Sequence, residues 1–384
     1  MTDNHVMRHF PPIQGKLSAM LAGRVEAVAG TAEWNVVVDT AERLGLAGLL
    51  LEALPDAGVS PPESAERALR AAATAVASAN VHRTRCFRPV ARAFDEAGIP
   101  LMLLKGAALQ LSIYRRPHLR PMSDVDCMVR PEDLDRAVAV LSSLGCRRGA
   151  ALVRDDFFPR YFNEVEYFTP NDPAIRIDLH VRPFRPLRYA QRVPPEAFWT
   201  DAVAADLDGV PVWIPGLSAM LVHLAAHAAI HGAERLLWLY DIHRFVRFHA
   251  AELDWGAVVL CAENWGLALP VRVALDRVED AFGLSVPAGV MDRLRRSRVG
   301  GRDRLALWHA PRDEAHPLGH LLVDLLCTRG LRFRAGYLAA VLWPQAQHLG
   351  SIYPYRHAGW RLCAHAYRLV RAVRRLLPVA AVDK

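Results

Sequence analysis

Cysteine is scarce in this chain of 384 residues, which contains only six. They are widely scattered and no two form a C-x-x-C pair, so neither a disulfide framework nor a zinc cluster is indicated. Because a reducing compartment keeps such thiols free, we expect a cytoplasmic protein. The N-terminal stretch MTDNHVMRHFPPIQGK has charges and prolines where a signal peptide needs an apolar core, so no export signal is expected.

Long, uninterrupted apolar runs are also missing. Residues 209–233 and 335–355 lack formal charge, but prolines and histidines interrupt both stretches. A membrane-spanning helix needs about twenty predominantly apolar residues, so we expect buried core helices here and no transmembrane segment. The hydrophobic fraction of 52% excludes a disordered chain, and the length suits about two or three packed units.

The charge is not strongly biased towards one sign. Lys and Arg number 47 against 40 for Asp and Glu, which gives a formal net charge of +7. This excess suits an anionic ligand such as a nucleotide, and it equally suits an ordinary soluble protein. The basic residues are spread out and do not interleave with aromatics as in a stacking platform, so nucleic acid is not an expected partner.

Helical periodicity dominates both ends of the sequence. Apolar residues recur at spacings of three and four before Gly98, and the same pattern returns from Leu217 onward. Between them, short apolar or alternating segments predict the order strand, helix, strand, helix, strand. We therefore predict an α+β fold with an N-terminal helical segment (1–97), a small mixed-sheet α/β domain (98–215) and an all-helical domain (216–384).

Three aspartates are the strongest candidates for chemistry. Asp124 and Asp126 are one residue apart on the predicted strand SDVDCMV, so their carboxylates project from one face. Two like charges held so close are costly, and a divalent cation such as Mg²⁺ is the usual remedy. Asp178, on the predicted strand IRIDLHV, would add a third carboxylate for a two-metal site or act as a general base. The alternative for Asp-x-Asp is a solvated turn or edge.

A second group of residues could contact phosphate. Lys105 and Gly106 stand at a predicted strand-to-helix turn, where glycine lets the backbone approach an anion. Lys105 would act as a point charge, Arg120 as a planar fork and Ser123 as a hydroxyl donor. For Lys105 the alternative is a surface salt bridge.

These segments resemble the nucleotidyltransferase superfamily of DNA polymerase β, and in particular a bacterial family described as uncharacterised nucleotidyltransferases. The resemblance rests on LLKGAALQLSIYRRPHLRPMSDVDCMV, on IDLHVRP and on LSAMLVHLAAHAAIHGAERLLWLYDIHRFV, and it extends over about 99 to 355. It implies a polymerase β-like nucleotidyltransferase domain in which Asp124 and Asp126 bind metal and Asp178 completes the triad. Gly106-Ala107 departs from the usual Gly-Ser or Gly-Gly, which removes one hydroxyl donor.

The resulting prediction is a Mg²⁺-dependent nucleotidyltransferase. It would transfer a nucleoside monophosphate, AMP from ATP or the equivalent from another nucleoside triphosphate, to a small-molecule, peptide or protein acceptor. Members of such families occur beside enzymes that tailor ribosomally made peptides, which makes a peptide one candidate acceptor. The alternative is a catalytically silent nucleotide- or peptide-binding module that retains the fold, and the missing serine favours it.

Several further residues have two interpretations each. His223, His227 and His231 form one helical stripe that either binds a transition metal or lines a cleft. His180 shares a face with Asp178, where it would position substrate or hydrogen-bond to a carboxylate. Asp241 would cap a helix or pair with one of the histidines.

A loop with four arginines meets either an anionic substrate or solvent: Arg182, Arg185, Arg188 and Arg192. The basic C-terminal helix docks on the protein or contacts an anionic surface.

Overall fold

Helices precede the sheet, as the sequence predicts. The computed structural model describes residues 10–24, 28–149, 160–185, 187–309, 317–328, 330–345, 349 and 360–374. Its first helices are α1 (Pro12–Leu21), α2 (Gly30–Arg43), α3 (Ala47–Ala53) and α4 (Glu63–Glu96). The long α4 is rich in alanine and ends where Gly98 adopts a positive φ of 63°, a conformation that glycine adopts at little cost.

Seven strands form one mixed sheet in the order β3-β4-β5-β2-β1-β7-β6. They are β1 (Met102–Leu103), β2 (Val125–Met128), β3 (Arg147–Arg148), β4 (Glu164–Phe168), β5 (Arg176–His180), β6 (Val203–Asp206) and β7 (Pro211–Ile214). β2 is parallel to β5 and β1 is parallel to β7, whereas the other neighbours are antiparallel. The mixed sheet is confirmed, but β3, β6 and β7 were not predicted, because they are short and largely exposed and so lack an apolar alternation.

Short helices connect the central strands. α5 (Lys105–Leu109) follows β1 and continues as a π-helical turn through Tyr114, and α6 (Leu134–Ser143) follows β2. The small α7 (Leu187–Ala190) follows β5. Within the sheet, β2 and β5 lie side by side.

After β7 the described chain is helical. The helices are α8 (Leu217–Ile230), α9 (Leu236–Phe248), α10 (Trp255–Asn264), α11 (Ala268–Phe282), α12 (Ala288–Arg296), α13 (Gly301–His309), α14 (Pro317–Cys327), α15 (Leu331–Leu342) and α16 (Trp360–Arg374). The uncharged α8 is buried on nearly all sides, which explains its composition. Within the described ranges, no helix combines the length and the apolar character that crossing a bilayer requires.

One apolar cluster joins the sheet to the helices on either side of it. It extends from Leu17 in α1 to Leu294 in α12 and includes the inner strands. A smaller cluster around Tyr161 and Tyr337 packs α14 and α15 against α7. The three predicted units thus share a core, and their boundaries stay a prediction.

The loop that enters β2 is held from two sides. Asn80 of α4 is buried and donates hydrogen bonds to the carbonyl oxygens of Pro117 and Arg120, at 2.7 and 2.8 Å. On the other side, Gly48 of α3 packs so tightly that an added Cβ would lie 2.1 Å from the carbonyl oxygen of His118. The helices therefore fix the position of the strand that follows this loop.

We expect Gly48→Ala to lower the free energy of unfolding by about 1 to 3 kcal/mol, because the backbone must shift to accept the methyl group. Urea denaturation followed by circular dichroism would measure the loss. Gly15→Ala is the matched control, since Gly15 also lies in a helix and has nothing within 4 Å of the added atom. The free energy of unfolding of this control should stay the same or rise by up to about 1 kcal/mol. Equal stability of the two variants would contradict the tight contact.

Candidate active site

The pairing of β2 with β5 brings the predicted aspartates together. The two strands are parallel and in register, with Asp126 opposite Asp178. Side chains alternate along a strand, so these two carboxylates share one face, and Asp124, two residues before Asp126, continues that row. The intervening side chains are buried in the apolar core: Val125, Cys127, Ile177 and Leu179.

Strand β4 adds two more carboxylates to this face. It is antiparallel to β5, with Glu164 opposite His180 and Glu166 opposite Asp178. The sequence EVEYFT (164–169) is typical of a strand, but its pattern assigns no function to the glutamates. The alternation of glutamate with buried valine and tyrosine was the available signal, but only the strand pairing shows which sheet face the glutamates join.

The inner part of the site centres on Asp126, which is 7% exposed. Its Oδ1 atom lies 2.7 Å from Nζ of Lys105 and 3.0 Å from Nε2 of the fully buried His180. The same Nε2 atom lies 3.3 Å from Oε2 of Glu164. Burial by itself would raise the pKa of Asp126, but Lys105 and His180 outweigh it and hold the pKa far below its usual value. Asp126 is therefore ionised and paired.

The outer part of the site is organised by Arg176. Its guanidinium hydrogen-bonds to Asp124, reaches Oε1 of Glu166 at 3.4 Å, and places Nε 3.3 Å from Oδ1 of Asp178. That Oδ1 atom is buried and makes no hydrogen bond of acceptable geometry. Burial raises the pKa of Asp178 to about 7, with Glu164 and Asp126 adding to the effect and Arg176 opposing it. Arg176 is thus a cation that the sequence analysis missed.

The residues proposed for phosphate contact occupy different depths. Lys105 opens α5 with a positive φ of 45° and is half-buried against Asp126, whereas Ser123 is exposed. Gly106 leaves space for Arg120, since a Cβ there would lie 2.2 Å from that guanidinium. The structure therefore brings Lys105 to the carboxylates, with Gly106 next to it.

Arg120 lies behind the turn in a buried ion pair. It is 7% exposed, and its Nη2 atom is 2.9 Å from Oδ2 of Asp241, which also accepts a 2.6 Å hydrogen bond from the hydroxyl of Tyr114. Burial by itself would lower the pKa of Arg120, but Asp241 outweighs it and raises the pKa. Asp241 pairs with Arg120 and Tyr114 rather than with a histidine, so that expectation is wrong. Phosphate contact by Arg120 stays a prediction.

The histidine stripe of α8 packs among aromatic rings. His223 is fully buried with its ring centroid 5.3 Å from those of Phe184 and Phe198, and His227 lies 4.5 Å from Trp238. Burial lowers the pKa of His223 to about 3, helped by the nearby Lys105, and that of His227 falls well below its usual value. His223 is buried and His227 half-buried among aromatic rings, which favours a helix that lines an interface or cleft over a metal-binding stripe.

Two of the loop arginines anchor the C-terminal helices. Arg188 and Arg192 both pair with the buried Asp303 of α13, and Arg188 also donates a 2.8 Å hydrogen bond to the carbonyl oxygen of Cys327. For these two arginines neither a substrate nor a solvated loop is the correct interpretation. Arg185 lies over the ring of Phe162, 5.1 Å from its centroid.

Comparison with known families identifies the chain. A family model described as "Uncharacterised nucleotidyltransferase" matches residues 30–283. The chain belongs to this family. The resemblance found in the sequence is therefore confirmed at the family level, and the mixed sheet between helical segments agrees with it. No curated protein matches this member of the uncharacterised nucleotidyltransferases.

Two solved structures also match this nucleotidyltransferase family member. The solution structure of the antibiotic-resistance factor ANT(2'')-Ia is 15% identical, with a TM-score of 0.29 over 53% of this chain and 91% of that chain. The crystal structure of an antigenic nucleotidyltransferase-like protein from Paracoccidioides brasiliensis is 14% identical, with a TM-score of 0.32 over 59% of this chain and 93% of that chain.

The low pKa of His223 predicts that this nucleotidyltransferase family member loses stability in mild acid. The folded state holds the ring neutral down to about pH 3, whereas an unfolded histidine takes up a proton near pH 6.5. The contribution of the neutral ring to the free energy of unfolding is complete above pH 6.5. Between pH 6.5 and 3, the free energy of unfolding falls by about 1.4 kcal/mol for each pH unit. Urea unfolding of the wild type and His223→Leu at several pH values would measure the difference. An identical pH slope in both proteins would contradict the prediction.

Proposed function

We propose that the chain transfers a nucleoside monophosphate from a nucleoside triphosphate, with ATP as the first donor to test, to a hydroxyl or phosphate group of a small molecule, peptide or protein. One observation carries this proposal above all: Asp124, Asp126 and Asp178 share a face of two registered strands, and Lys105, the first residue of α5, contacts Asp126. Family membership supports the reaction class. The six cysteines are all free, which supports action in the cytoplasm.

The carboxylate row fits a divalent cation. Asp126 is held ionised, and Oδ1 of Asp178 is buried with no hydrogen bond, so hard oxygen ligands are available. Asp124, Asp126 and Asp178 would hold one or two Mg²⁺ ions, and the positive charge of the bound ions would offset the negative charge of the triphosphate and of the departing pyrophosphate. The protein's own contribution is to keep these carboxylates in place through the pairing of β2 with β5.

Lys105 would bind the triphosphate. Its ammonium group neutralises Asp126 across 2.7 Å, and it can exchange that partner for a phosphate oxygen when the cation neutralises Asp126 instead. Gly106 would contact the phosphates through its backbone, with the positive charge of Arg120 packed against it and the exposed hydroxyl of Ser123 as a further donor. Arg120 would act as a fixed charge, because Asp241 restrains its guanidinium.

As the alternative to holding a cation, Asp178 would accept the proton of the acceptor group at Oδ1. That atom has no hydrogen-bond donor of its own and lies in the same row as the residues that would hold the triphosphate. Proton acceptance and correct positioning of the two reactants supply most of what an in-line displacement needs from a protein.

A silent binding module is the second candidate, and Arg176 is the observation that favours it. Its guanidinium neutralises Asp124 and approaches Asp178. A protein that does not use a metal ion would neutralise its carboxylates with such a cation. Such a module would bind ATP with Mg²⁺ in calorimetry but release no pyrophosphate. An active transferase would do both.

We expect Asp126→Asn and Asp124→Asn each to reduce metal-dependent release of pyrophosphate by at least about 100-fold, because each removes a ligand for the charge that develops in the transition state. A coupled pyrophosphate assay with ATP and a cell extract as the source of acceptor would measure this, with mass spectrometry to find the nucleotidylated product.

The matched control is Asp135→Asn, which makes the same change at an exposed position in the first turn of α6. It should keep wild-type turnover, and thermal melts should show that all three variants are folded. Unchanged turnover in both Asp126→Asn and Asp124→Asn would contradict the transferase proposal.

A further inference from the structure

A mixed set of ligand atoms lies at the inner end of the carboxylate row. Asp126, Glu164 and His180 each offer one such atom, and all three atoms lie within 4.8 Å of one another. Among the residues that the structure describes, no other trio of histidine, cysteine, aspartate or glutamate side chains meets this condition. The set differs from the predicted triad, since it includes an imidazole nitrogen and a glutamate from β4.

The separations match those expected around a metal ion. Nε2 of His180 lies 3.0 Å from Oδ1 of Asp126 and 3.3 Å from Oε2 of Glu164. Ligand atoms about 2.1 Å from an ion, with bond angles of about 90 to 110°, are about 3.0 to 3.4 Å apart. His180 is therefore spaced to share an ion with either carboxylate, and the two carboxylate oxygens lie within 4.8 Å of each other.

Neighbouring groups hold two of these side chains in position. Asn163 is buried and donates a 2.8 Å hydrogen bond to Oε2 of Glu164. Nδ1 of His180 lies 3.4 Å from the carbonyl oxygen of Arg182. With its proton on Nδ1, directed at the carbonyl, His180 presents the Nε2 lone pair to an ion, which is the usual arrangement of a ligating histidine.

A buried oxygen without a hydrogen bond lies in the neighbouring position of the same carboxylate row. Asp178 stands opposite Asp126 and two residues from His180 on the same face, and it is 6% exposed. Its Oδ1 atom has no hydrogen-bond partner, and Glu164 and Asp126 are the anions that act on it most strongly. The guanidinium of Arg176 lies 3.3 Å from this oxygen without a hydrogen bond, and a cation held by Asp126 and Glu164 would add to the neutralisation of the row.

We propose that Asp126, Glu164 and His180 bind a divalent transition-metal ion, of which Mn²⁺ is the one to test. An imidazole nitrogen suits first-row transition ions, whereas Mg²⁺ prefers oxygen ligands alone. The ion would replace the ammonium group of Lys105 beside Oδ1 of Asp126. The site shares Asp126 with the proposed transferase centre, so it deepens that proposal, but Glu164 and His180 let it be tested on metal binding alone.

The experiment adds Mn²⁺ alone to the full-length protein. Electron paramagnetic resonance would measure the free ion, and pulsed measurements would detect coupling to a directly bound ¹⁴N nucleus. We expect the nitrogen coupling in the wild type and its loss in His180→Gln. We also expect Mg²⁺ to compete at least about tenfold more weakly than Mn²⁺ binds.

Strand β4 supplies a matched pair of variants. Glu164→Gln should weaken Mn²⁺ binding at least about tenfold, because it removes a ligand oxygen. Glu166→Gln makes the same change in charge two residues away, opposite Asp178 and outside the ligand set, and should weaken binding clearly less than Glu164→Gln. If His180→Gln fails to fold, this pair and the nitrogen coupling of the wild type still decide the question.

Three results would overturn the site: no bound Mn²⁺, bound Mn²⁺ without nitrogen coupling, or equal losses in Glu164→Gln and Glu166→Gln. These outcomes are separate from failure of the transferase proposal. If pyrophosphate release depends on Asp124 and Asp126 but no nitrogen-bound ion is detected, the proposed metal site is wrong and the transferase proposal stands. If nitrogen-bound Mn²⁺ is detected but no pyrophosphate is released, the metal site stands and the transferase proposal is wrong.

Discussion

Parallel pairing of β2 with β5 is the constraint on which the site depends. The register that sets Asp126 opposite Asp178 also sets Val125 opposite Ile177, so one sheet face is acidic and the other is apolar. A slip of one residue would turn the carboxylates into the core and the aliphatic side chains towards the cleft. The hydrophobic effect that fixes the apolar face therefore also fixes the spacing of the acidic groups, without any direct attraction between them.

The acidic face is stable because the chain supplies its own cations. Lys105 neutralises Asp126 in the inner part, and Arg176 neutralises Asp124 in the outer part. Leaving any of these carboxylates unpaired would be costly where water is largely excluded. A bound metal ion would therefore exchange places with protein cations, and part of its binding energy is offset by the contacts it replaces. The released Lys105 would then be free to meet a phosphate, which couples the two binding events.

The sequence predicted the elements better than it predicted their partners. Asp124 and Asp126 could be found because one strand contains both, and the helices could be found because their periodicity is long. Glu164 and Arg176 were missed, since their importance comes from cross-strand neighbours that periodicity does not identify. The edge strands were missed for a different reason: they are too short and exposed to show an alternating pattern.

The buried pair of Arg120 with Asp241 shows why the site cannot be assigned to the sheet alone. Arg120 belongs to the loop before β2, whereas Asp241 lies in α9, and both are almost completely buried. Asn80 of α4 holds the same loop from the opposite side. A segment limited to residues 98–215 would lack the Asp241 carboxylate and leave a buried guanidinium without its counterion, which is strongly unfavourable. The helices before and after the sheet are therefore part of the machinery that sets the position of Asp124 and Asp126.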